Sequence, residues 1–175
     1  MFKILPERPQ DLNQIEYLLD QVFGTGRHNK ASYAFRSTVS PIAEMCLVAR
    51  DGDLVVGTLR FWPVMIGDEL ALLLGPVGVS PDRQKMGIGR ALIARGHFLG
   101  RLMGYKIILL VGDKNYYCRF GYVPAADLGI TMPGEAPERV LVHELVSGSL
   151  AGVCGEISVA GSSQPAQKIA PGPVA

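Results

Sequence analysis

Apolar residues recur at helical intervals in two segments of this chain. In residues 12–23 they appear every three or four positions, which places them on one face of a helix, and the same spacing returns in residues 88–103. Gly24 and Gly104 follow the two segments, at positions where helices commonly end. Residues 27–37 carry a weaker pattern, which favours a second helix or a structured loop.

Shorter apolar runs have the length of β-strands. They occupy residues 2–5, 45–49, 54–62, 70–79, 106–111 and 139–146. Asp51, Gly52 and Asp53 separate the second run from the third and are typical of a hairpin turn, so these two strands should pair antiparallel. Pro63 should close the third run. The order strand, helix, strand across residues 70–111 predicts a parallel pair with a right-handed crossover.

Size and composition limit the classes of protein that this sequence can represent. One domain is expected for 175 residues, of which 48% are hydrophobic, enough to build a core. The 17 Lys and Arg residues nearly balance the 16 Asp and Glu residues. The net charge of +1 predicts no general attraction to nucleic acid or to an anionic membrane, so any phosphate recognition must be local.

Cysteine usage and the N-terminal sequence point to the cytoplasm. Cys46, Cys118 and Cys154 are odd in number and widely spaced, so we expect buried thiols in a reducing compartment and neither a disulfide framework nor a metal site. Charge and proline appear before a signal-peptide core could form, and no apolar run reaches membrane-spanning length.

Composition divides the chain into a folded domain and a tail. Residues 1–160 carry all the predicted elements, whereas residues 161–175 are rich in Gly, Pro, Ser, Ala and Gln, a composition that normally stays disordered. Our hypothesis is that this tail lies either on its own domain or on a partner chain. The second arrangement would make the protein a homodimer.

A glycine-rich turn joins the strand of residues 70–79 to the long helix. It reads Gln84-Lys85-Met86-Gly87-Ile88-Gly89. The first N–H groups of a helix have no partner within it, and two glycines leave room for a ligand to reach them. Such a helix start is suited to binding phosphate.

Two common phosphate-binding motifs do not match this turn. A dinucleotide fingerprint needs a third glycine, where this chain has Leu92, and an acidic residue about 20 residues further on, where it has an apolar strand. A Walker loop needs Gly-Lys followed by Ser or Thr, which does not occur in the sequence.

The turn resembles the acetyl-coenzyme A loop of the GNAT superfamily of N-acetyltransferases, whose signature is Gln/Arg-x-x-Gly-x-Gly/Ala. Gln84, Gly87 and Gly89 occupy its fixed positions. Downstream, Tyr116-Tyr117-Cys118-Arg119-Phe120-Gly121-Tyr122 resembles the superfamily's Phe-Tyr-x-Lys-x-Gly-Phe element. Spacing and element order agree over about fifty residues, and both motifs look most like a bacterial, YhbS-like branch.

The resemblance implies a fold. We expect a single α/β (α+β) domain of the GNAT type, with a mixed, mostly antiparallel, twisted sheet of about six to seven strands and about four flanking helices. The parallel pair of strands should lie around the loop of residues 84–89.

The resemblance also implies a set of residues that would bind coenzyme A. Main-chain N–H groups of the turn would hold its pyrophosphate, and the end of the preceding strand would hydrogen-bond its pantetheine arm. The turn contributes Gln84, Lys85, Met86, Gly87, Ile88, Gly89 and Arg90, and the strand contributes Val77, Gly78 and Val79. One N–H group of this strand could also polarise the thioester carbonyl.

Tyr117 matches the superfamily's tyrosine that protonates the departing thiolate and contacts the cofactor. Its ordinary pKa of about 10 would keep it protonated at neutral pH. Tyr116 is the alternative for this role, and a purely structural tyrosine is the alternative interpretation of Tyr117. Glu69, at the entrance of the strand, is the candidate general base, although bulk water can also deprotonate an amine. His97 and His143 lie in a helix and an apolar strand, where a structural role is expected.

The implied function is a cytoplasmic N-acetyltransferase that uses acetyl-CoA and no metal. It would acetylate a primary amine of a small molecule or peptide by direct attack in a ternary complex. A non-catalytic acyl-CoA-binding sensor or interaction module is the alternative. The acceptor pocket should be walled by the N-terminal helices and the loop of residues 127–138, with Tyr33, Phe35, Trp62 and Met132 as candidate lining. The sequence does not name the amine.

Overall fold

The computed structural model describes residues 1–29 and 31–160, apart from the side chains of Ala31, Ala34 and Phe35. In this part the chain forms nine strands and four α-helices. The strands are β1 (Lys3–Pro6), β2 (Leu47–Asp51), β3 (Leu54–Ile66), β4 (Glu69–Val79), β5 (Ile107–Val111), β6 (Val123–Pro124), β7 (Ile130–Thr131), β8 (Val140–Glu144) and β9 (Gly155–Val159). The helices are α1 (Leu12–Phe23), α2 (Ala31–Thr38), α3 (Ile88–Leu102) and α4 (Lys114–Tyr117).

The main sheet has the strand order β1-β2-β3-β4-β5-β8-β6. Within this order β4 and β5 run parallel and are connected through α3, whereas the other neighbours are antiparallel. β9 pairs with the second half of β3, beyond the part that pairs with β2, and it also pairs in parallel with the short β7. The predicted fold class, a mixed and mostly antiparallel sheet with a parallel pair around the glycine-rich loop, is confirmed.

Helices and loops cover both faces of this sheet. On one face α3 packs through Leu92 against Phe61 and its neighbours in the larger hydrophobic cluster. On the opposite face α1 buries Leu18 against Val48. The rest of that second face is covered by β9 and by the segment around Ile130.

Several elements lie where the hydrophobic pattern predicts them. α1 begins and ends at the predicted residues, and β2 and β3 form the expected hairpin, in which Asp51 pairs with Leu54. The weakly patterned segment of residues 27–37 contains the end of a 3-10 helix and most of α2.

The prediction that Pro63 closes its strand is wrong, because β3 continues to Ile66. The Phe61 carbonyl accepts a hydrogen bond from the Ile42 amide, so the main-chain groups of Phe61 point to the edge of β3 away from β4. Those of Pro63, two residues later, point to the same edge. There the pairing of β3 with β2 has already ended, and its pairing with β9 starts only at Val64. The missing N–H of Pro63 therefore removes no hydrogen bond from the sheet.

Three further expectations concern the tail, the cysteines and the membrane. Residues 161–175, predicted as a tail, lie outside the described part of the chain. Cys46 is buried, but Cys118 and Cys154 are exposed, so the expectation of buried thiols is wrong for these two. None of the helices that the structure describes is long and apolar enough to cross a membrane.

Candidate active site

β4 and β5 separate part-way along their length. Leu72 pairs with Ile108 and Leu73 with Leu109, and the described pairing between the two strands ends there. β4 nevertheless continues to Val79 and stays paired with β3 on its other edge. An opening therefore lies between the second half of β4 and the segment that follows β5.

A bulge in β4 marks the point where this separation begins. Gly75 and Pro76 of β4 together lie opposite the single residue Arg60 of β3, while Leu74 and Val77 on either side are regularly paired. The bulge shifts the register of everything in β4 that follows it.

Beyond the bulge, alternate residues of β4 direct their main-chain groups into the opening. The Ser80 amide donates to the Val56 carbonyl of β3. Because main-chain groups alternate between the two edges of a strand, Gly78 also faces β3. Val77 and Val79 then direct their N–H and C=O groups towards the opening, where a ligand can take the place of a strand.

The glycine-rich loop borders the same space. Lys85 and Gly87 have positive φ angles of 65° and 81°, whereas Met86 between them does not. This alternation turns successive N–H groups to a common side and forms a concavity that binds anions. α3 begins at Ile88, so its electropositive end adds to the attraction.

A cavity of about 900 Å³ extends from this loop between α3 and the residues around α4. Its wall brings together most of the predicted cofactor residues, namely Val77, Val79, Gln84, Lys85, Gly87, Ile88, Gly89, Arg90 and Tyr117, but not Gly78 or Met86. Among the described residues its wall has no acidic side chain and five basic ones, namely Arg83, Lys85, Arg90, Arg101 and Arg119. The cavity is therefore suited to a large polyanionic ligand.

The two adjacent tyrosines reach different parts of this cavity. Tyr117 lies against Gly112, just past the end of β5, where an added Cβ would stand 2.4 Å from the Tyr117 Cε2. The Tyr116 hydroxyl instead lies over the start of α3, 2.9 Å from the position of a Cβ at Gly89. Tyr117 thus sits beside the opening between the strands, and Tyr116 sits beside the anion-binding loop.

The surroundings of Tyr117 hold its hydroxyl firmly protonated. Burial is the main cause and the neighbouring Tyr116 the second, and together they raise the pKa of Tyr117 to about 12. The positive charge of Arg36 opposes this rise. At neutral pH the Tyr117 hydroxyl is therefore a hydrogen-bond donor and not an anion.

A pair of histidines lies behind Tyr117. Nε2 of His97, on α3, is 2.9 Å from the Tyr122 hydroxyl, and the Tyr122 ring packs edge-on against Tyr117 at 5.8 Å. His143 stacks on His97 at 4.8 Å and donates through Nδ1 to the Gly121 carbonyl. Burial, with the charges of neighbouring groups, lowers the pKa of His97 to about 4. Within the described residues, no three His, Cys, Asp or Glu side chains are placed to hold a metal ion.

Glu69, the candidate general base, is not brought to this cavity. It is half-buried at the first position of β4 and pairs with Ile66, next to the turn that joins β3 and β4. Gly75 is six positions further along the strand, a distance of roughly 20 Å. The structure therefore gives Glu69 no contact with the other candidate residues.

On the other face of the sheet the structure reveals Arg36, which sequence reasoning missed. Its guanidinium lies over the rings of Tyr33 at 4.9 Å and Trp62 at 5.3 Å, and Nη2 lies 2.9 Å from the position of a Cβ at Gly75. The spacing of Tyr33 and Arg36 on one face of α2 was the signal that could have found it. Among the predicted lining residues, Trp62 and Met132 are buried, and the side chain of Phe35 lies outside the described part.

Comparison with known proteins identifies relatives of this fold and site. Residues 43–124 match the sequence profile of the family described as "Acetyltransferase (GNAT) domain". The chain is 30% identical over 154 residues to "Uncharacterized N-acetyltransferase YhbS" of Escherichia coli K12, which covers 85% of this chain and 90% of that protein. It is also 30% identical over 134 residues to "Uncharacterized N-acetyltransferase YjhQ" of the same organism, covering 74% of each.

Solved structures give the same assignment. The crystal structure of E. coli YhbS in complex with CoA superposes with a TM-score of 0.80 at 27% identity, covering 91% of this chain and 89% of that one. A GNAT family acetyltransferase from Brucella melitensis in complex with acetyl-CoA superposes with a TM-score of 0.69, also at 27% identity, covering 91% of this chain and 96% of that one. The opening between β4 and β5, the anion-binding loop and these relatives agree, and the chain belongs to the GNAT family of acetyltransferases.

Proposed function

We propose that this chain transfers the acetyl group of acetyl-CoA to a primary amine of a small molecule or peptide, with both substrates bound at once. The observation that carries the proposal is the opening between β4 and β5. It is bordered by the loop of residues 84–89 and by Tyr117. Similar GNAT structures hold CoA or acetyl-CoA, which supports the same ligand here.

The residues of the cavity fit the charged half of this co-substrate. N–H groups of residues 84–90 would hold the pyrophosphate, helped by the dipole of α3 by about 0.3 to 1 kcal/mol. Lys85 and Arg90 are exposed at its rim and can reach phosphate oxygens. The main chain of Val77 and Val79 would hydrogen-bond the pantetheine arm, while Gly78 and Met86 contribute by shaping the backbone.

Acetyl-CoA supplies the acetyl group as a thioester, so the amine nitrogen gains a bond to carbon and the carbon–sulfur bond breaks. In the net reaction nitrogen loses one proton to solvent and sulfur gains one from solvent. The Val77 N–H points into the opening and would stabilise the negative charge on the carbonyl oxygen. Such preorganised donors are worth about 3 to 4 kcal/mol in other acyl-transfer enzymes.

Tyr117 would assist the departing sulfur mainly by hydrogen bonding. A phenol with a pKa of about 12 is a weaker acid than a thiol with an ordinary pKa of about 8.5. Complete proton transfer from Tyr117 to a thiolate would therefore be uphill by about 5 kcal/mol. We assign Tyr117 as the donor that stabilises developing charge on sulfur, with the proton itself arriving from solvent.

No carboxylate near the cavity takes the role of general base in this proposal. Glu69 is too distant, and water can remove the proton from the attacking nitrogen. The reaction therefore depends on the fraction of amine that is already neutral, and the rate should rise with pH through the pKa of the acceptor.

The test is release of the CoA thiol from acetyl-CoA across a panel of amines, with the acetylated product identified by mass. Transfer to at least one amine, faster than in a reaction without protein, is the expected result. Tight binding of CoA with no transfer to any amine would overturn the proposed acetyltransferase activity and favour a non-catalytic acyl-CoA sensor. Failure to bind CoA would overturn both.

A further inference from the structure

Arg36 and Trp62 each carry a buried hydrogen-bond donor for which the fold provides no acceptor. Nε of Arg36 and Nε1 of Trp62 are inaccessible to water and have no hydrogen-bond partner among the residues that the structure describes. A buried donor without a partner costs about 1 to 3 kcal/mol, and more for a charged group. The guanidinium carbon of Arg36 lies 5.3 Å from the centre of the Trp62 ring, and the Arg36 side chain as a whole is only partly buried. Two unsatisfied donors in one region, next to a partly exposed guanidinium, indicate a missing acceptor.

The guanidinium is held in place by its surroundings. It lies between the Tyr33 and Trp62 rings, and the Tyr33 hydroxyl is fixed by Arg27 at 3.2 Å. Arg27 is itself buried and bonds to Asp20 at 2.8 Å. This arrangement fixes the positive charge before any ligand arrives, which reduces the entropic cost of binding.

Arg36 lies at the bulge, where β4 leaves β5. Its Nη2 rests against Gly75, and Gly75 faces away from α3 and from the cofactor cavity, like Leu73 before it. Gly75 is two residues before Val77, a distance of roughly 7 Å along the strand. A small molecule bound to Arg36 at one end could therefore reach the proposed site of acetyl transfer with its other end.

The local charge fits a single negative charge. Burial lowers the pKa of Arg36 to about 10, which still leaves it charged at neutral pH, and the Glu135 carboxylate acts on it from nearby. Glu135 is held by the Ser32 amide at 2.9 Å, in the first turn of α2. Because Glu135 offsets part of the charge of Arg36, the site is less suited to a dianion such as phosphate than to a carboxylate, which carries one negative charge and matches the side-on edge of a guanidinium.

We propose that the acceptor is a small amine that also carries a carboxylate, and that the Arg36 guanidinium and the Trp62 indole N–H bind this carboxylate. The inference rests on the proposed acetyl transfer and narrows its substrate class. Amino acids and related short amino carboxylates fit the site. A polyamine carries no carboxylate for the guanidinium, and in a peptide the carboxyl group next to the terminal amine is converted to an amide.

The first experiment compares matched acceptors under saturating acetyl-CoA. Glycine, β-alanine and 4-aminobutyrate are each paired with their amides, and CoA thiol release is measured. The expected result is at least a tenfold higher kcat/KM for the acid in one pair. The amides have the more readily deprotonated amines, so chemistry alone would favour them, and equal or better use of amides would overturn the inference while leaving acetyl transfer intact.

Variants then locate the recognition. R36Q is expected to raise the acceptor KM roughly 10- to 100-fold and to abolish the preference for acid over amide, with the affinity for CoA unchanged. R36K, which keeps the positive charge but not the paired N–H donors of a guanidinium, should have an intermediate effect. W62F should have a smaller effect of roughly 3- to 10-fold. R95Q removes the same charge from the exposed side of α3 and serves as the matched control. Equal losses for acids and amides in R36Q would contradict the proposal.

Fluorescence separates failure of this inference from failure of the proposed function. Trp62 is the only tryptophan in the chain, so its emission reports on this site alone. Titration with glycine, β-alanine and 4-aminobutyrate should give a saturable change with at least one of them in the unmodified protein and none in R36Q, whether or not transfer occurs. The same change with the matching amide, or no change with any of the three acids, would overturn the carboxylate site.

Discussion

The Tyr117 ring and Gly112 are so closely packed that a Cβ at Gly112 would stand 2.4 Å from Tyr117 Cε2 and 2.9 Å from Cδ2. Real Cβ atoms do not approach aromatic carbons so closely, so Gly112→Ala must displace the ring. We expect turnover to fall about 10-fold or more, since small misplacements of a reacting group are costly, while CoA affinity changes little. The measurement is steady-state thiol release together with a CoA titration. Gly26→Ala, where no atom lies within 4 Å of the new Cβ, is the control.

Replacing Tyr117 with Phe removes only the hydroxyl that we assign to hydrogen-bonding the departing sulfur. We expect turnover at saturating acetyl-CoA to fall roughly 10- to 100-fold, the value of one hydrogen bond to a charged group. Tyr116→Phe should instead weaken CoA binding, because the Tyr116 hydroxyl lies at the start of α3. Full turnover in the Tyr117 variant would remove this residue from the mechanism.

Glu69→Gln tests whether the far end of β4 takes part in the reaction. The Glu69 side chain is roughly 20 Å along the strand from Gly75, so its loss should change kcat/KM by less than about twofold at any pH. A pH–rate profile of the variant is the informative measurement. Loss of an ionisation that the unmodified protein shows would restore Glu69 as a general base.

Gly89 leaves the space that the Tyr116 hydroxyl occupies, 2.9 Å from the position of a Cβ. Gly89→Ala should therefore raise the dissociation constant for CoA by about 10-fold, because the new methyl group intrudes on the first amides of α3. Combining it with Tyr116→Phe distinguishes two causes. If the double variant binds as poorly as Gly89→Ala alone, the methyl group blocks the ligand directly; recovery would point to the displaced tyrosine.

Stability should decrease in weak acid because of His97. Its folded-state pKa of about 4 lies below the ordinary 6.5, so the folded protein holds the neutral ring while the unfolded chain takes up a proton. The contribution is complete above pH 6.5 and is lost as pH falls towards 4, by about 2 kcal/mol between pH 7.5 and 5. Urea unfolding at the two pH values measures it.

His97→Gln should flatten that pH dependence, even if its stability at pH 7.5 is lower. His143 and Arg101 act on His97 in the same direction as burial, so their charges contribute to the shift. His28→Gln, at an exposed position, is the matched control and should keep the full slope. An unchanged slope in His97→Gln would assign the acid sensitivity to another group.

Local patterns predicted the elements whose stability is decided locally. α1 could be placed to the residue because its apolar stripe is regular and Gly24 ends it with a φ of 79°. The glycine-rich loop could also be predicted from the sequence, since an anion-binding loop requires glycines at fixed spacing before a helix. The resemblance to the GNAT superfamily added the chemistry that these patterns alone do not specify.

Elements that depend on distant partners were missed or misplaced. β9 is five residues long and alternates weakly, and its pairing with Val64 to Ile66 of β3 and with the short β7 makes it a strand. The pairing of β9 with β3 also explains why β3 continues past Pro63. Arg36 was missed because α2 is short, and its importance lies in contacts with Trp62 and Gly75, far along the chain.

The two-for-one bulge at Gly75 and Pro76 matters for the course of β4 more than for the direction of its main-chain groups. Deleting either residue would leave one residue opposite Arg60 and keep Val77 opposite Leu59, so Val77 would still direct its main-chain groups away from β3. The deletion would instead remove the local bend and the extra twist that a bulge gives a strand. A straight β4 would continue alongside β5, and the space for the ligand would be filled by strand pairing, so a loss of one residue here should cost more than conservative substitution of the valine.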